Sequence, residues 1–366
     1  MTIAFPASLA DDARYVSPAF LRTPLRAFMV SCDKGIYWLR MPADTGKTQF
    51  VRGIIAQRTG KDGAPEGIDS AISSGMGAVA VGLESGAGPR DLVAALKAAF
   101  DATFGLDGTQ AVPDIRFDDA EGAKADFSAW LAALRDLAVA KGSKRLIVCI
   151  DGLEAMDPPG AGQPCSIAAM LPDIRSLPAG VVLLLTSRPR EDWPAAAFEA
   201  VAAKFPAGSG VGVQDVTLDD PTYVDALKRL FHDRLRPVLR GRAMALLQTL
   251  LETRAEFERG GRDPRLTSDP VLRDTLKDDW KKLTNKYPRY SGLQLPVAPL
   301  SPLLDQFDGL WVDVMDRADR RFRYVFLLLD RLMDASLAVE DVAGLPRGAE
   351  LPAALAAERA PAPVPA

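Results

Sequence analysis

The sequence predicts an α/β protein in which a mostly parallel five-stranded sheet lies between helices and is followed by an all-helical bundle domain. Short β-rich runs alternate with amphipathic stretches from residue 35 to residue 218, which is typical of βαβ units. Two of these runs, RLIVCI and GVVLLLTS, are almost continuously apolar, as strands are when helices cover both of their faces. After residue 219 the strand signals end, and apolar residues recur at helical three- and four-residue steps.

All the predicted strands lie in the first of these regions. They are residues 36–40, 78–83, 146–150, 181–186 and 211–216. Helices are predicted between them at residues 47–58, 89–103, 125–140 and 194–204. Because RLIVCI and GVVLLLTS are the most apolar runs, we expect them in the middle of the sheet.

The second region starts with a helical pattern in YVDALKRLF and continues with further helical patterns. These are residues 241–258, 269–286, 302–316 and 318–336. We therefore divide the chain into a lead-in helix segment (1–34), an α/β domain (35–218), a helical bundle (219–340) and a flexible Ala/Pro-rich tail (341–366).

Composition narrows the classes of function. The 366 residues carry a net charge of −4, so no overall basic field favours nucleic acid or an anionic membrane as partner. The single histidine, His232, leaves little support for Ser-His-Asp hydrolysis or a multi-histidine metal site. Three cysteines without metal-ligand spacing, no signal-peptide pattern and no run of about 18 apolar residues predict a cytoplasmic protein without a membrane span.

The segment GIYWLRMPADTGKTQFVRGI, residues 35–54, carries a candidate phosphate-binding loop. Its Gly46-Lys47-Thr48 lies between a predicted strand and a predicted helix, the setting in which backbone N–H groups converge on an anion. Lys47 would reach the β- and γ-phosphates of a nucleotide, and the Thr48 hydroxyl would bind Mg²⁺. We assign nucleotide contact to residues Asp44, Thr45, Gly46, Lys47, Thr48 and Gln49.

Two more strands end in residues suited to the same ligand. RLIVCIDGLEAMD places Asp151 at the carboxyl end of a strand, where it could bind Mg²⁺ beside Thr48 or could cap the following turn. GVVLLLTSRPR ends in Arg188, which could contact a γ-phosphate or could be a solvated charge. The three strand ends in this order favour one nucleotide site much more than any of them does alone.

These residues resemble the STAND class of P-loop NTPases, the NACHT- and NB-ARC-like, AAA+-related ATPases of signal transduction. IDGLEAMD resembles the Walker B pattern of that class, and LPAGVVLLLTSRPR resembles its sensor 1 strand. VTLDDPTYVDALKRLFHDRL is similar to the entry into its helical domain. The resemblance implies ATP or GTP with Mg²⁺ as ligands, and a role in signalling or defence through self-oligomerisation or a protein partner.

The sequence also departs from that pattern. The first loop glycine is replaced by Met41, and Asp44 puts a negative charge near the phosphates. At about 5 Å and an effective dielectric of about 20, this repulsion is on the order of 3 kcal/mol. Ala155 stands where the class carries a carboxylate that orients the attacking water, so Glu154 is the candidate to replace it. We expect slow hydrolysis or none, with Lys47, Asp151, Glu154 and Arg188 as catalytic candidates.

Three functions therefore remain open at the level of sequence. The first is a nucleotide switch in which nucleotide state sets the angle between sheet and bundle. The second is a pseudo-NTPase, an interaction scaffold that binds nucleotide weakly or not at all. The third is a P-loop kinase or other phosphotransferase, which is disfavoured because such enzymes use an intact glycine-rich loop.

Overall fold

A computed structural model describes residues 3–4, 18–56, 76–108, 112–156, 165–235, 238, 307–334, 336–337 and 339–357. The chain divides into two compact units, Met1–Tyr223 and Val224–Ala366. No helix within the described ranges is both long and apolar enough to cross a membrane.

The first unit is built on one twisted sheet. Its strands are β1 (Ile3–Ala4), β2 (Gly35–Arg40), β3 (Met76–Gly82), β4 (Arg145–Asp151), β5 (Val181–Ser187) and β6 (Val211–Asp215). They lie in the order β1-β3-β4-β5-β2-β6, and every neighbouring pair is parallel except β1 with β3. The five predicted strands are confirmed, and the short antiparallel β1 at the edge is an addition.

One helix precedes the first parallel strand, and the other helices lie between the parallel strands, as parallel pairing requires. They are α1 (Ala19–Ser31), α2 (Lys47–Ala56), α3 (Pro89–Phe104), α4 (Ala120–Ala140), α5 (Ile167–Met170) and α6 (Ala195–Lys204). The start of α4 lies five residues before the predicted start because Asp119 caps it, accepting a hydrogen bond from Gly122 N at 2.6 Å. The end of α3 is set by Gly105, whose φ of 62° is the left-handed conformation that terminates helices.

The core of the first unit lies around β4 and β5, which occupy the middle of the sheet as predicted from their apolar sequences. All seven residues of β5 are buried. Phe100 of α3 and Phe127 and Leu131 of α4 belong to the same hydrophobic cluster as Val148 and Leu183 of these strands. This packing fixes the carboxyl ends of β2, β4 and β5 at one edge of the sheet, where open α/β sheets bind ligands.

The described residues of the second unit form helices and turns, and none of them lies in a strand. Residues 221–235 form helix α7, which starts just before the unit boundary, and α8 (Phe307–Arg317) and α9 (Phe322–Met333) follow. A tight turn joins α8 to α9, with Asp319 and Arg320 at φ of 48° and 52°. The helices predicted at 241–258 and 269–286, and the start of the one at 302–316, lie outside the described residues.

The predicted flexible tail differs from the structure over residues 341–357. Two 3₁₀ turns, Val339–Gly344 and Gly348–Glu350, lead into helix α10 (Leu351–Ala357). Leu345, Leu351 and Leu355 are buried, and the Arg331 guanidinium donates to Leu355 O at 3.1 Å. The spaced leucines supply enough apolar surface to order this Ala/Pro-rich segment, whereas composition alone predicted a linker.

Candidate functional site

The candidate phosphate loop, residues 41–46, connects β2 to α2 at the carboxyl edge of the sheet. Met41 continues the pairing of β2, since its N–H donates to Ser187 O at 3.0 Å, and its side chain is completely buried. Among the described residues of the loop, the left-handed backbone falls on Asp44 (φ 60°) and Gly46 (φ 100°). Methionine at position 41 therefore causes no backbone strain, because this loop does not require a positive φ there.

The loop is closed by its own side chains. The Lys47 ammonium donates to Met41 O and to Pro42 O, both at 2.7 Å, and Lys47 is only 7% exposed. The Thr45 hydroxyl donates to Pro42 O at 2.7 Å, and Thr45 is also buried. Lys47 thus lies inside the loop that should wrap a phosphate.

Helix α2 starts directly after the loop and directs its amino terminus to the same edge. Its first turn closes with a hydrogen bond from Phe50 N to Gly46 O at 2.9 Å. The N–H groups of Lys47, Thr48 and Gln49 consequently have no acceptor within the helix, and the positive end of the helix dipole lies beside them. This arrangement is suited to an anion.

Asp151 links the loop to the end of β4. Its Oδ2 accepts a hydrogen bond from the Thr48 hydroxyl at 2.5 Å, and its Oδ1 accepts from the hydroxyl of Thr186, the penultimate residue of the intervening strand β5. Asp151 is only 6% exposed. From the sequence, Asp151 and Thr48 were expected to act together at one Mg²⁺ site, and Thr186 had no expected role. Its signal was its place at the end of an apolar strand.

Glu154 and Arg188 form an ion pair at the same edge. The Arg188 Nε lies 3.2 Å from Glu154 Oε1, and the Arg188 N–H donates to Glu154 Oε2 at 3.1 Å. Glu154 follows Asp151 through Gly152, which turns the chain with a φ of 83°. Glu154 was expected to orient an attacking water. Both of its carboxylate oxygens instead lie against Arg188 in the structure.

The main chain of Arg188 is also held on its carbonyl side. Ser187 Oγ and Trp193 Nε1 donate to Arg188 O at 2.9 and 3.0 Å, and Trp38 Nε1 donates to Ser187 Oγ at 2.9 Å. The hydrogen bonds of Ser187 and the two tryptophans were not anticipated from the sequence. They fix the backbone of Arg188 while its side chain remains 46% exposed.

The charged groups at this edge act on the pKa of Lys47. Burial lowers the pKa of the Lys47 ammonium, while the negative charges of Glu154 and Asp151, and more weakly that of Asp44, act in the opposite direction. The positive charge of Arg188 lowers that pKa further. Lys47, Asp151, Glu154 and Arg188 thus lie at the same edge of the sheet.

The charge at Asp44 yields a prediction for affinity. Asp44→Asn removes the charge and keeps a residue type that tolerates the left-handed region, whereas Asp44→Gly also relaxes the backbone. We expect both variants to bind Mg·ATP about tenfold more tightly than wild type. This corresponds to about 1.4 kcal/mol, or about half of the repulsion of about 3 kcal/mol between Asp44 and a phosphate. Calorimetric titration measures this. Tighter binding by the glycine variant alone would assign the effect to the backbone rather than to the charge.

The strand order and the residues at the carboxyl edge of the sheet together define the class of fold. A parallel sheet in which a strand, a Gly-Lys-Thr loop and a helix are followed by an aspartate at the end of a second strand is the α/β fold of P-loop NTPases.

Comparisons with known proteins add little to this assignment. The sequence matches no protein-family model, and no curated protein matches it significantly. Among solved structures, a Walker-type ATPase of Pyrococcus abyssi is similar to this chain over 87% of its length and 99% of the other chain, with 13% sequence identity and a TM-score of 0.29. That score is too low to define a shared fold, so the fold assignment depends on the strand order and the loop.

Proposed function

We propose that this protein is a nucleotide-binding switch module of the STAND type, with ATP or GTP and Mg²⁺ bound at residues 44–49. The observation that supports this most is the 2.5 Å hydrogen bond from Thr48 to Asp151, beside a lysine buried in the loop. A hydroxyl and a carboxylate in contact at the amino terminus of α2 provide oxygen ligands, which Mg²⁺ prefers.

Each residue then has a defined task. Lys47 and the free N–H groups at the start of α2 bind phosphate oxygens, for which Lys47 leaves Met41 O and Pro42 O. Thr48 and Asp151 hold Mg²⁺, and Thr186 keeps the Asp151 carboxylate oriented. When bound, Mg²⁺ neutralises charge on the phosphates. Phosphate oxygens of the nucleotide and water would complete the coordination of Mg²⁺.

We expect hydrolysis to be slow. The position next to Glu154 is Ala155, which carries no carboxylate, and Glu154 itself is paired with Arg188. Phosphoryl transfer is catalysed mainly by positioning and charge. Misplacing a catalytic group by about 1 Å costs about 100-fold in rate. A site that hydrolyses nucleotide slowly is better suited to switching the conformation of the protein than to rapid turnover.

The output of the switch and its location complete the proposal. We expect self-oligomerisation or binding of a protein partner to depend on nucleotide, and the protein to act in the cytoplasm. The location is supported by Cys32, Cys149 and Cys165, all of which are free thiols.

A pseudo-NTPase scaffold is the alternative, and one observation favours it. The loop is internally satisfied, since Lys47 is hydrogen-bonded to loop carbonyls and Thr48 to Asp151. Nucleotide must break these bonds before it binds. A scaffold that keeps the fold and no longer binds nucleotide would retain this same closed loop.

Mg²⁺ dependence tests the proposed site. We expect Mg²⁺ to tighten ATP binding by wild type at least about tenfold, and Thr48→Ala and Asp151→Asn each to remove most of that gain because a charged or metal-bound contact is worth about 1.5–3 kcal/mol. Titration of ATP and GTP with Mg²⁺ or with chelator measures the gain. Thr103→Ala is the matched control, since the Thr103 hydroxyl bonds Ala99 O within α3. A Mg²⁺ gain unchanged in both site variants would contradict the assignment.

A further inference from the structure

We propose that the Glu154 carboxylate is a built-in counter-anion that holds Arg188 in the nucleotide-free protein and competes with the terminal phosphate of a nucleoside triphosphate for it. This inference depends on the proposed function. It gives Glu154 a regulatory role in place of the catalytic role expected from its position after Asp151.

The contacts of Glu154 support this role. Its two oxygens lie 3.1 Å from the Arg188 N and 3.2 Å from the Arg188 Nε, so the carboxylate lies along both the backbone and the side chain of one residue. The Glu154 side chain is only 16% exposed. A carboxylate engaged in this way is a poor general base but an effective partner for a guanidinium.

The charge of Glu154 also acts on a second cation, Lys47. Of the negative charges acting on Lys47, that of Glu154 has the largest effect, ahead of that of Asp151 at the adjacent metal site. The hydrogen bonds of Lys47 itself go to the carbonyls of Met41 and Pro42. The Glu154 carboxylate therefore pairs with Arg188 and its negative charge acts on Lys47, the two cations that a terminal phosphate would bind in the proposed site.

The backbone of Arg188 is held in place, so its side chain can exchange Glu154 for a phosphate without a movement of the main chain. Its carbonyl is held by Ser187 and Trp193, and its N–H by Glu154, so the backbone need not move. Its side chain is half-exposed and can turn away from Glu154 by changing rotamer. A nucleoside diphosphate lacks the third phosphate and would leave the ion pair intact, so the pair discriminates between the two nucleotide states.

Glu154→Gln tests the exchange because glutamine keeps the size and an oxygen acceptor for the Arg188 N–H and removes the charge. We expect this variant to bind Mg·ATP about three- to fivefold more tightly than wild type, with a change of less than about twofold for Mg·ADP. The ATP effect should largely disappear when Arg188→Ala is introduced as well. Glu199→Gln is the matched control, since Glu199 forms a 2.6 Å ion pair with Arg190 on the surface.

Other results for Glu154→Gln would overturn this inference, the proposed function or both. Unchanged ATP and ADP affinity with a strongly reduced rate of hydrolysis would overturn the inference and make Glu154 the catalytic base. Equal tightening of ATP and ADP would also overturn it, because a general charge effect does not select the third phosphate. If wild type binds Mg²⁺-dependently and Glu154→Gln does not differ, only this inference fails. If no variant binds, Glu154→Gln included, the proposed function fails with it.

Discussion

Replacing Met41 by glycine, the residue that a phosphate loop carries at this position, should destabilise the protein by about 3–6 kcal/mol. The Met41 side chain is completely buried, and its N–H extends the pairing of β2 with β5. Removing a buried methionine leaves a cavity, and glycine adds backbone entropy to the unfolded chain. Since Met41 does not have a positive φ, glycine offers no conformational gain in return. Unfolding by urea, followed by circular dichroism, measures the loss.

Met41→Leu is the control for this prediction. Leucine nearly conserves the buried volume, so we expect a cost of less than about 1.5 kcal/mol. A Met41→Gly protein as stable as wild type, with tighter nucleotide binding, would show that the loop needs the missing glycine. It would also contradict the buried position of Met41.

Replacing Lys47 by methionine should lower the affinity for Mg·ATP at least about 100-fold, since charge-assisted hydrogen bonds to phosphate are worth about 1.5–3 kcal/mol each. Methionine retains most of the buried stem and removes the ammonium, so the fold should survive. Burial already lowers the pKa of this ammonium, which means that the folded protein gains little from the charge itself. Titration with a labelled nucleotide measures the affinity, and the thermal unfolding midpoint confirms folding.

Lys97→Met is the matched control for the loss of a lysine. Lys97 pairs with Asp101 on α3, so its replacement should leave the affinity for Mg·ATP unchanged. A Lys47→Met protein that folds and binds Mg·ATP as wild type does would remove the loop from the site. The aspartate and arginine would then have to bind nucleotide without a phosphate loop.

The sequence predicted the scaffold well because its strands are strongly apolar. RLIVCI and GVVLLLTS had to be covered on both faces, which placed them in the middle of the sheet and brought Asp151 and Arg188 to one edge. The order of the neighbours followed less directly. The alternation of strands and helices gives parallel pairing, but it does not say that β5 lies between β2 and β4.

The fine structure of the site could not be predicted in the same way. Whether Met41 points into the core depends on how far the pairing of β2 continues, and the left-handed turn could have fallen on any of several loop residues rather than on Asp44. The pairing of Glu154 with Arg188 depends on the turn at Gly152. Such contacts join residues far apart in sequence, and one chain without its tertiary structure does not specify them.

A crystal structure of the wild-type protein with Mg²⁺ and a non-hydrolysable ATP or GTP analogue would show directly whether nucleotide binds at residues 44–49. We predict the phosphates at the amino terminus of α2, Mg²⁺ about 2.1 Å from the Thr48 hydroxyl oxygen, and the Lys47 ammonium on phosphate instead of on Met41 O and Pro42 O. An analogue bound elsewhere, or absent at saturating concentration while Thr48 still donates to Asp151, would contradict the account.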